Sequence, residues 1–137
     1  ELHVEAEPAL NGEAVLRVEY PAASGNPGAR DVWCQAINRD WSAGHGIAFQ
    51  IKPAAAIRLS VSFMDGNHVA YTTWLNLDAG RWQQAAISFA DLRPNPYFQP
   101  PGADKSKPLD VHAVNAIGFA PQSPDAGSLS IGKLTVF

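Results

Sequence analysis

HVAYTTWLNL, residues 68–77, decides how this chain is read. Successive side chains of an extended strand face opposite sides of the sheet. Tyr71, Thr73, Leu75 and Leu77 therefore share one face, and His68, Ala70, Thr72, Trp74 and Asn76 share the other. Leu75 and Leu77 mark the first face as the core side. That leaves Trp74 on the face that ought to be polar. A tryptophan standing there among His, Thr and Asn is either covered by something or exposed in order to touch something.

Working outward, residues 57–64 (IRLSVSFM) alternate most cleanly of all. Ile57, Leu59, Val61 and Phe63 lie on one side, and Arg58, Ser60, Ser62 and Met64 on the other. Asp65-Gly66-Asn67 reads as a hairpin turn that joins them to 68–77. Residues 30–37 (RDVWCQAI) put Val32, Cys34 and Ala36 on a small apolar face. Asp31, Trp33 and Gln35 form the opposite face, so again a Trp stands between polar residues. Residues 46–52 send Ile47, Phe49 and Ile51 inward, and residues 14–20 send Leu16, Val18 and Tyr20 inward. Runs at 2–7, 82–89, 114–120 and 128–137 complete the set, with turns at 9–13 and 78–80. Residues 90–108 break the pattern with Pro94, Pro96, Pro100, Pro101 and Pro108, which deny ladder hydrogen bonds, so they read as a long structured loop carrying Tyr97 and Phe98. Eight or nine short strands and no helix-period segment predict an all-β chain, a β-sandwich of jelly-roll type with a concave ligand-binding face.

At 137 residues the chain reads as one domain, 1–137. A net charge of -3 without any Lys/Arg run argues against nucleic acid, and no apolar run approaches a membrane span. The first residue is Glu and no signal peptide is visible, so the expectation is a mature module cut from something larger. Cys34 is the only cysteine and allows no internal disulfide. Nothing points to an enzyme. The acids are scattered, and His3, His45, His68 and His112 form no zinc-spaced pair. The loose grouping of Asp31 with Asp65 or His68 is the best acid pair on offer.

The positive signal is aromatic. If the strands at 30–37, 57–64 and 68–77 share a sheet, Trp33 and Trp74 stand on one surface among hydrogen-bonding groups. Sugar rings have apolar C–H faces and hydroxyl edges. Indole faces suit the first and polar side chains the second. On that reading Trp33 and Trp74 stack on sugars. Arg58, Asp31, Gln35, Asn76 and His68 bond hydroxyls, and Tyr97 and Phe98 wall the cleft. The competing reading covers the Trp pair with the 90–108 loop or a neighbouring domain, which makes the chain a structural or docking module, with Arg58 in a salt bridge to Asp31. Trp41 is expected to anchor its loop on the core edge, and Trp82 to pack at the core or edge.

Three stretches carry a family likeness: Phe98-Gln99-Pro100-Pro101-Gly102-Ala103-Asp104, then Pro108-Leu109-Asp110-Val111, then Val114-Asn115-Ala116-Ile117-Gly118-Phe119. With Asp40-Trp41-Ser42 leading into residues 47–52, and Trp82 leading to Ile87-Ser88-Phe89, they resemble the family 11 carbohydrate-binding modules. The resemblance implies a jelly-roll domain that binds β-glucan chains (mixed-linkage, cellulosic or xyloglucan) without catalysis. It also implies a covalently linked glycoside hydrolase and a secreted, extracellular setting. The stacking tyrosine of the Gln-Pro-Pro-Gly loop falls on Phe98. Two others fall near Ala29 and on Pro121, with Trp33 four positions after Ala29 and on the same face. A family histidine falls on Gly118, and an acidic residue and an arginine fall on Tyr97 and Asn95. The resemblance further implies a structural calcium, where Ser130 stands in place of an expected Asp.

Overall fold

The computed structural model describes residues 3–7, 15–25, 30–34 and 37–137. Among them eleven strands run in the order β1 (His3–Glu7), β2 (Val15–Tyr20), β3 (Val32–Cys34), β4 (Gly46–Pro53), β5 (Ile57–Asp65), β6 (Ala70–Leu77), β7 (Gln83–Ser88), β8 (Arg93–Pro94), β9 (Val114–Pro121), β10 (Gly127–Ile131) and β11 (Thr135–Val136). The turn expected at 9–13 lies outside the described residues. One 3-10 turn, Phe89–Asp91, interrupts the strands.

The strands form two antiparallel sheets. One has the order β1-β2-β10-β4-β11, with β7 on the other side of β4; the second has the order β3-β9-β5-β6-β8. The final run reads as a single strand in the sequence but divides. β10 pairs with β4 at Ile51 and Pro53, and β11 pairs with it at Ile47 and Ala48. Gly132 makes the step between them, its N–H donating to the Gln50 carbonyl at 2.7 Å. Pro94 lies in a strand after all, but in the edge strand β8, opposite Tyr71, where a missing N–H costs no ladder bond.

The alternation read from the sequence builds the core. Leu59, Val61 and Phe63 of β5 have no exposed surface, and neither do Ile47 and Ile51 of β4. Burying each such side chain stabilises by about 1.5–3 kcal/mol. Phe49 of the first sheet meets Phe119 of the second edge to face at 5.8 Å and 81°. Trp41 anchors its loop as expected: it stacks on Phe89 at 6.1 Å and stands edge-on to Phe63 at 6.1 Å. The Asp40 carboxylate accepts the Ser42 N–H at 2.9 Å and so sets the Asp-Trp-Ser turn.

Tyr71 ties the long loop to this core. Its hydroxyl donates to the Lys107 carbonyl at 2.6 Å. Burial, with the nearby negative charges of Asp65 and Asp104, pushes its pKa from 10.0 up to about 12. The phenol is harder to ionise folded than unfolded, so its contribution is complete below pH 10 and is lost as the pH rises through 12. Tyr71→Phe is expected to cost about 1 kcal/mol at pH 7. It should also flatten the fall in stability above pH 10, both effects being read from urea unfolding at pH 7 and pH 11. An alkaline fall as steep as in the unsubstituted protein would refute this.

Candidate functional site

Strand register assembles the outer face of the five-stranded sheet. Trp33 of β3 lies opposite Gly118 of β9, Gly118 opposite Ser62 of β5, and Ser62 opposite Thr72 of β6. The neighbouring row runs Ala120, Ser60, Trp74. In the row beyond it Arg58 lies opposite Asn76, and the Gln122 N–H donates to the Arg58 carbonyl at 2.8 Å. Directly paired residues project to the same side, so Trp33, Trp74, Arg58 and Asn76 share one face. At the usual strand spacing and rise, the two Trp positions stand roughly 16 Å apart. No single sugar ring spans that distance, whereas a chain of linked rings does.

Both indoles are half-buried. The Arg58 guanidinium carbon lies 5.2 Å from the Trp74 ring centroid, and the ion pairs among the described residues do not include one from Arg58 to Asp31. The attraction of the ring face for the cation holds Arg58 in place of the salt bridge considered above. Between the two Trp the floor is low, made of Ser60, Ser62, Gly118 and Ala120. Ser62 Oγ donates to Thr72 Oγ1 at 3.0 Å, and Thr72 Oγ1 donates to the Val61 carbonyl at 3.2 Å. These two buried hydroxyls are thus spent on each other and on the backbone. The polar side chains left on this side of the sheet are Arg58, Asn76, Ser60 and Gln122, with Asp31 just before β3.

Asp31 is half-buried just before β3. Burial raises its carboxyl above the usual value, and the charge of Arg30 pulls it partly back. Arg30 is itself tied down, donating to the carbonyls of Ser123 and Pro121, with its guanidinium carbon 5.9 Å from the Tyr20 ring centroid. Gln35 lies outside the described residues.

His68 is not on the Trp74 strand. β6 begins at Ala70, and His68 sits in the preceding turn with φ 57° and an exposed side chain, so strand alternation does not extend to it. Asp65 is the cause. Its carboxylate, 1% exposed, accepts the N–H groups of Asn67 and Val69 at 3.0 and 3.3 Å through Oδ1, and that of Asp110 at 3.1 Å through Oδ2. The turn closes around these bonds. Asp65 is therefore a buried structural carboxylate and cannot pair with Asp31 at the surface.

Tyr97 and Phe98 stand at the Ala70 end of β6, on a tip that is held firmly. The Gln99 side chain treats the Ala70 peptide as a neighbouring strand would: Oε1 accepts its N–H at 3.0 Å and Nε2 donates to its carbonyl at 2.7 Å. Asn95 Oδ1 accepts the N–H groups of Tyr97 and Phe98 at 2.8 and 3.2 Å. Tyr97 is 88% exposed and Phe98 53%, so the loop carries its rings outward rather than over the Trp pair. Gln99→Ala leaves the Ala70 peptide without these partners. The Ala70 amide should then exchange with solvent about tenfold faster, corresponding to a loss near 1.4 kcal/mol. Unchanged exchange would show that the tip is held by other means.

Of the outward residues of β9, the sequence marks Gly118 only as the position of a family histidine, and it marks neither Ala120 nor Gln122 just beyond the strand. The available signal was the small-residue alternation against Ile117 and Phe119. Trp82, just before β7, is half-buried with the Lys52 ammonium 5.5 Å from its ring centroid. Among the described residues no group of three or more His, Cys, Asp or Glu side chains comes together to hold a metal ion. Ser130 is buried between Lys52 and Arg17 in the sheet, so position 130 does not supply the carboxylate that the resemblance implies for calcium.

The family model described as carbohydrate binding domain (family 11) matches residues 1–137. Endoglucanase H of Acetivibrio thermocellus is 28% identical over 105 residues, which cover 69% of this chain and 11% of that protein's length. Among solved structures, the family 11 module of a cellulosomal cellulase of Clostridium thermocellum superposes with a TM-score of 0.78 at 21% identity, covering all of this chain and 81% of that one. A family 11 module from the same organism, in complex with a β-1,3-1,4-mixed-linked tetrasaccharide, gives 0.78 at 20% identity over all of this chain and 82% of that one. A family 30 carbohydrate-binding module gives 0.66 at 18% identity, covering 99% and 83%.

Proposed function

This chain belongs to the family 11 carbohydrate-binding domains, and from that premise we propose that it is a non-catalytic module that binds β-glucan chains across β3, β9, β5 and β6. We further propose that it targets a covalently linked, secreted glycoside hydrolase to its polysaccharide. The observation that carries this reading is the register that sets Trp33 and Trp74 on one face with a low floor between them. The tetrasaccharide held by a domain of the same fold supports the ligand class, and the similarity to an endoglucanase supports the linked hydrolase.

In this mechanism the two indoles stack on the C–H faces of well-separated rings of one chain. Arg58, Asn76 and Asp31 bond the hydroxyl edges, and Tyr97 and Phe98 border the path at its Ala70 end. Each stack contributes on the order of 1 kcal/mol beyond the area it buries. Affinity is therefore in the micromolar range or weaker.

The test is a titration of the domain with soluble mixed-linkage β-glucan, xyloglucan and cello-oligosaccharides, following tryptophan fluorescence. A saturable change supports the reading and begins to name the ligand. A flat response to all three from the folded protein refutes it and makes the Trp face a docking surface.

A further inference from the structure

Gly118 lies mid-strand in β9, yet its backbone does not need a glycine. The positive-φ glycines among the described residues are Gly80 and Gly102. In ordinary β conformation, inside a strand flanked on both sides, glycine costs roughly 0.5–1 kcal/mol relative to alanine. What requires it is overhead. A Cβ at Gly118 would stand 2.6 Å from Trp33 Cδ2 and 2.7 Å from both Cε2 and Cε3. Those atoms belong to the six-membered ring of the indole, so the ring lies flat against the β9 backbone, over the residue directly opposite Trp33 in register.

A flat aromatic over a strand glycine also serves plain stability by covering the bare backbone. Other aromatics meet strand glycines among the described residues: the half-exposed Phe137 stands against Gly46, and the buried Tyr20 meets Gly127 through its hydroxyl end. Tyr20 lies opposite Gly127, where a Cβ would come within 2.5 Å of its hydroxyl oxygen. Tyr20 is sealed, only 4% exposed and part of the hydrophobic core. Trp33 instead lies on the outer face and stays half-exposed, with one ring face on Gly118 and nothing described stacked on the other.

We infer that Gly118 is a positioning residue for ligand binding: by leaving room beneath Trp33 it lays the indole parallel to the sheet, as a flat platform level with the Ser60, Ser62 and Ala120 floor. This rests on the carbohydrate-binding reading above and says which ligand surface the site selects. A level platform continuous with a low floor takes a broad, unsubstituted sugar face lying flat along the sheet. A side chain at 118 would tilt the ring and turn the platform into a wall.

The test uses the domain labelled with 5-fluorotryptophan, its four resonances assigned by single Trp→Phe substitutions. Without ligand, Gly118→Ala should move the Trp33 resonance and leave those of Trp41, Trp74 and Trp82 in place. With soluble mixed-linkage β-glucan, Gly118→Val should bind about tenfold more weakly, the effect of losing one well-placed stack. The Gly118→Val/Trp33→Ala double variant should bind no worse than Trp33→Ala alone, because the glycine acts through the indole. A Trp33 resonance that stays put in Gly118→Ala overturns the inference. So does a Gly118→Val loss of equal size in the Trp33→Ala background, which is what general damage to the strand produces. If the unsubstituted protein answers no glucan, the binding reading fails, and the binding role inferred for Gly118 fails with it. That result is told apart from a misplaced ring because the ligand-free resonance of Gly118→Ala still reports where Trp33 lies.

Discussion

Trp74→Ala is expected to weaken β-glucan binding by about tenfold to a hundredfold, the larger of the two tryptophan effects. Removing the ring forfeits a stacking contribution and the apolar area it buries, together about 1.5–3 kcal/mol, and each 1.4 kcal/mol is tenfold in affinity. Trp74 also supports Arg58, whose guanidinium carbon stands 5.2 Å from its ring centroid. Without the ring the guanidinium loses an attraction of about 0.5–1 kcal/mol and the orientation that comes with it. Trp33→Ala removes a platform alone and should cost nearer tenfold. Calorimetry suits both variants, because each deletes part of the fluorescence signal. Both side chains are only half-buried, so both variants should stay folded. Unchanged affinity in Trp74→Ala would move the sugar path off this face.

Asp65→Ala is expected to be the most damaging single change to stability, at about 3 kcal/mol or more. The carboxylate is 1% exposed and accepts three backbone N–H groups, from Asn67, Val69 and Asp110. Alanine leaves all three without their partner in a site from which water is excluded, and each unsatisfied buried donor costs about 1–3 kcal/mol. Against a total stability of roughly 5–15 kcal/mol, that brings the fold near its margin. Asp65→Asn should fall between, since a carboxamide keeps one accepting oxygen but presents N–H groups where the second stood. Urea unfolding reads both, and a loss below about 1 kcal/mol in Asp65→Ala would show that the two loops hold themselves. The sequence allowed Asp65 as a turn residue or a surface acid. Its burial follows from two loops, at 65–69 and 108–113, meeting at one point, which no local pattern announces.

Much of the fold was legible for a local reason. Residues 57–64 alternate without error, and their strand buries the residues so assigned, down to the zero exposure of Leu59, Val61 and Phe63. The reading strained where a tertiary partner overrode the pattern. Pro94 joins a strand because that strand is an edge. Residues 128–137 divide because β4 offers two separate stretches to pair with. His68 leaves its strand because Asp65 draws the chain into a turn.

For the candidate site, the chain alone determined that Trp33 and Trp74 point away from the core, since side-chain direction along a strand has a period of two and needs only neighbouring residues to reveal it. Which strands lie side by side, and in what register, is set by hydrogen bonds between residues far apart in sequence, and a slip of one residue would turn every side chain to the other face. Only the tertiary structure therefore decided that β9 runs between β3 and β5, that Gly118 lies under Trp33 with Ser62 and Thr72 in the same row, and that Arg58 rests on Trp74.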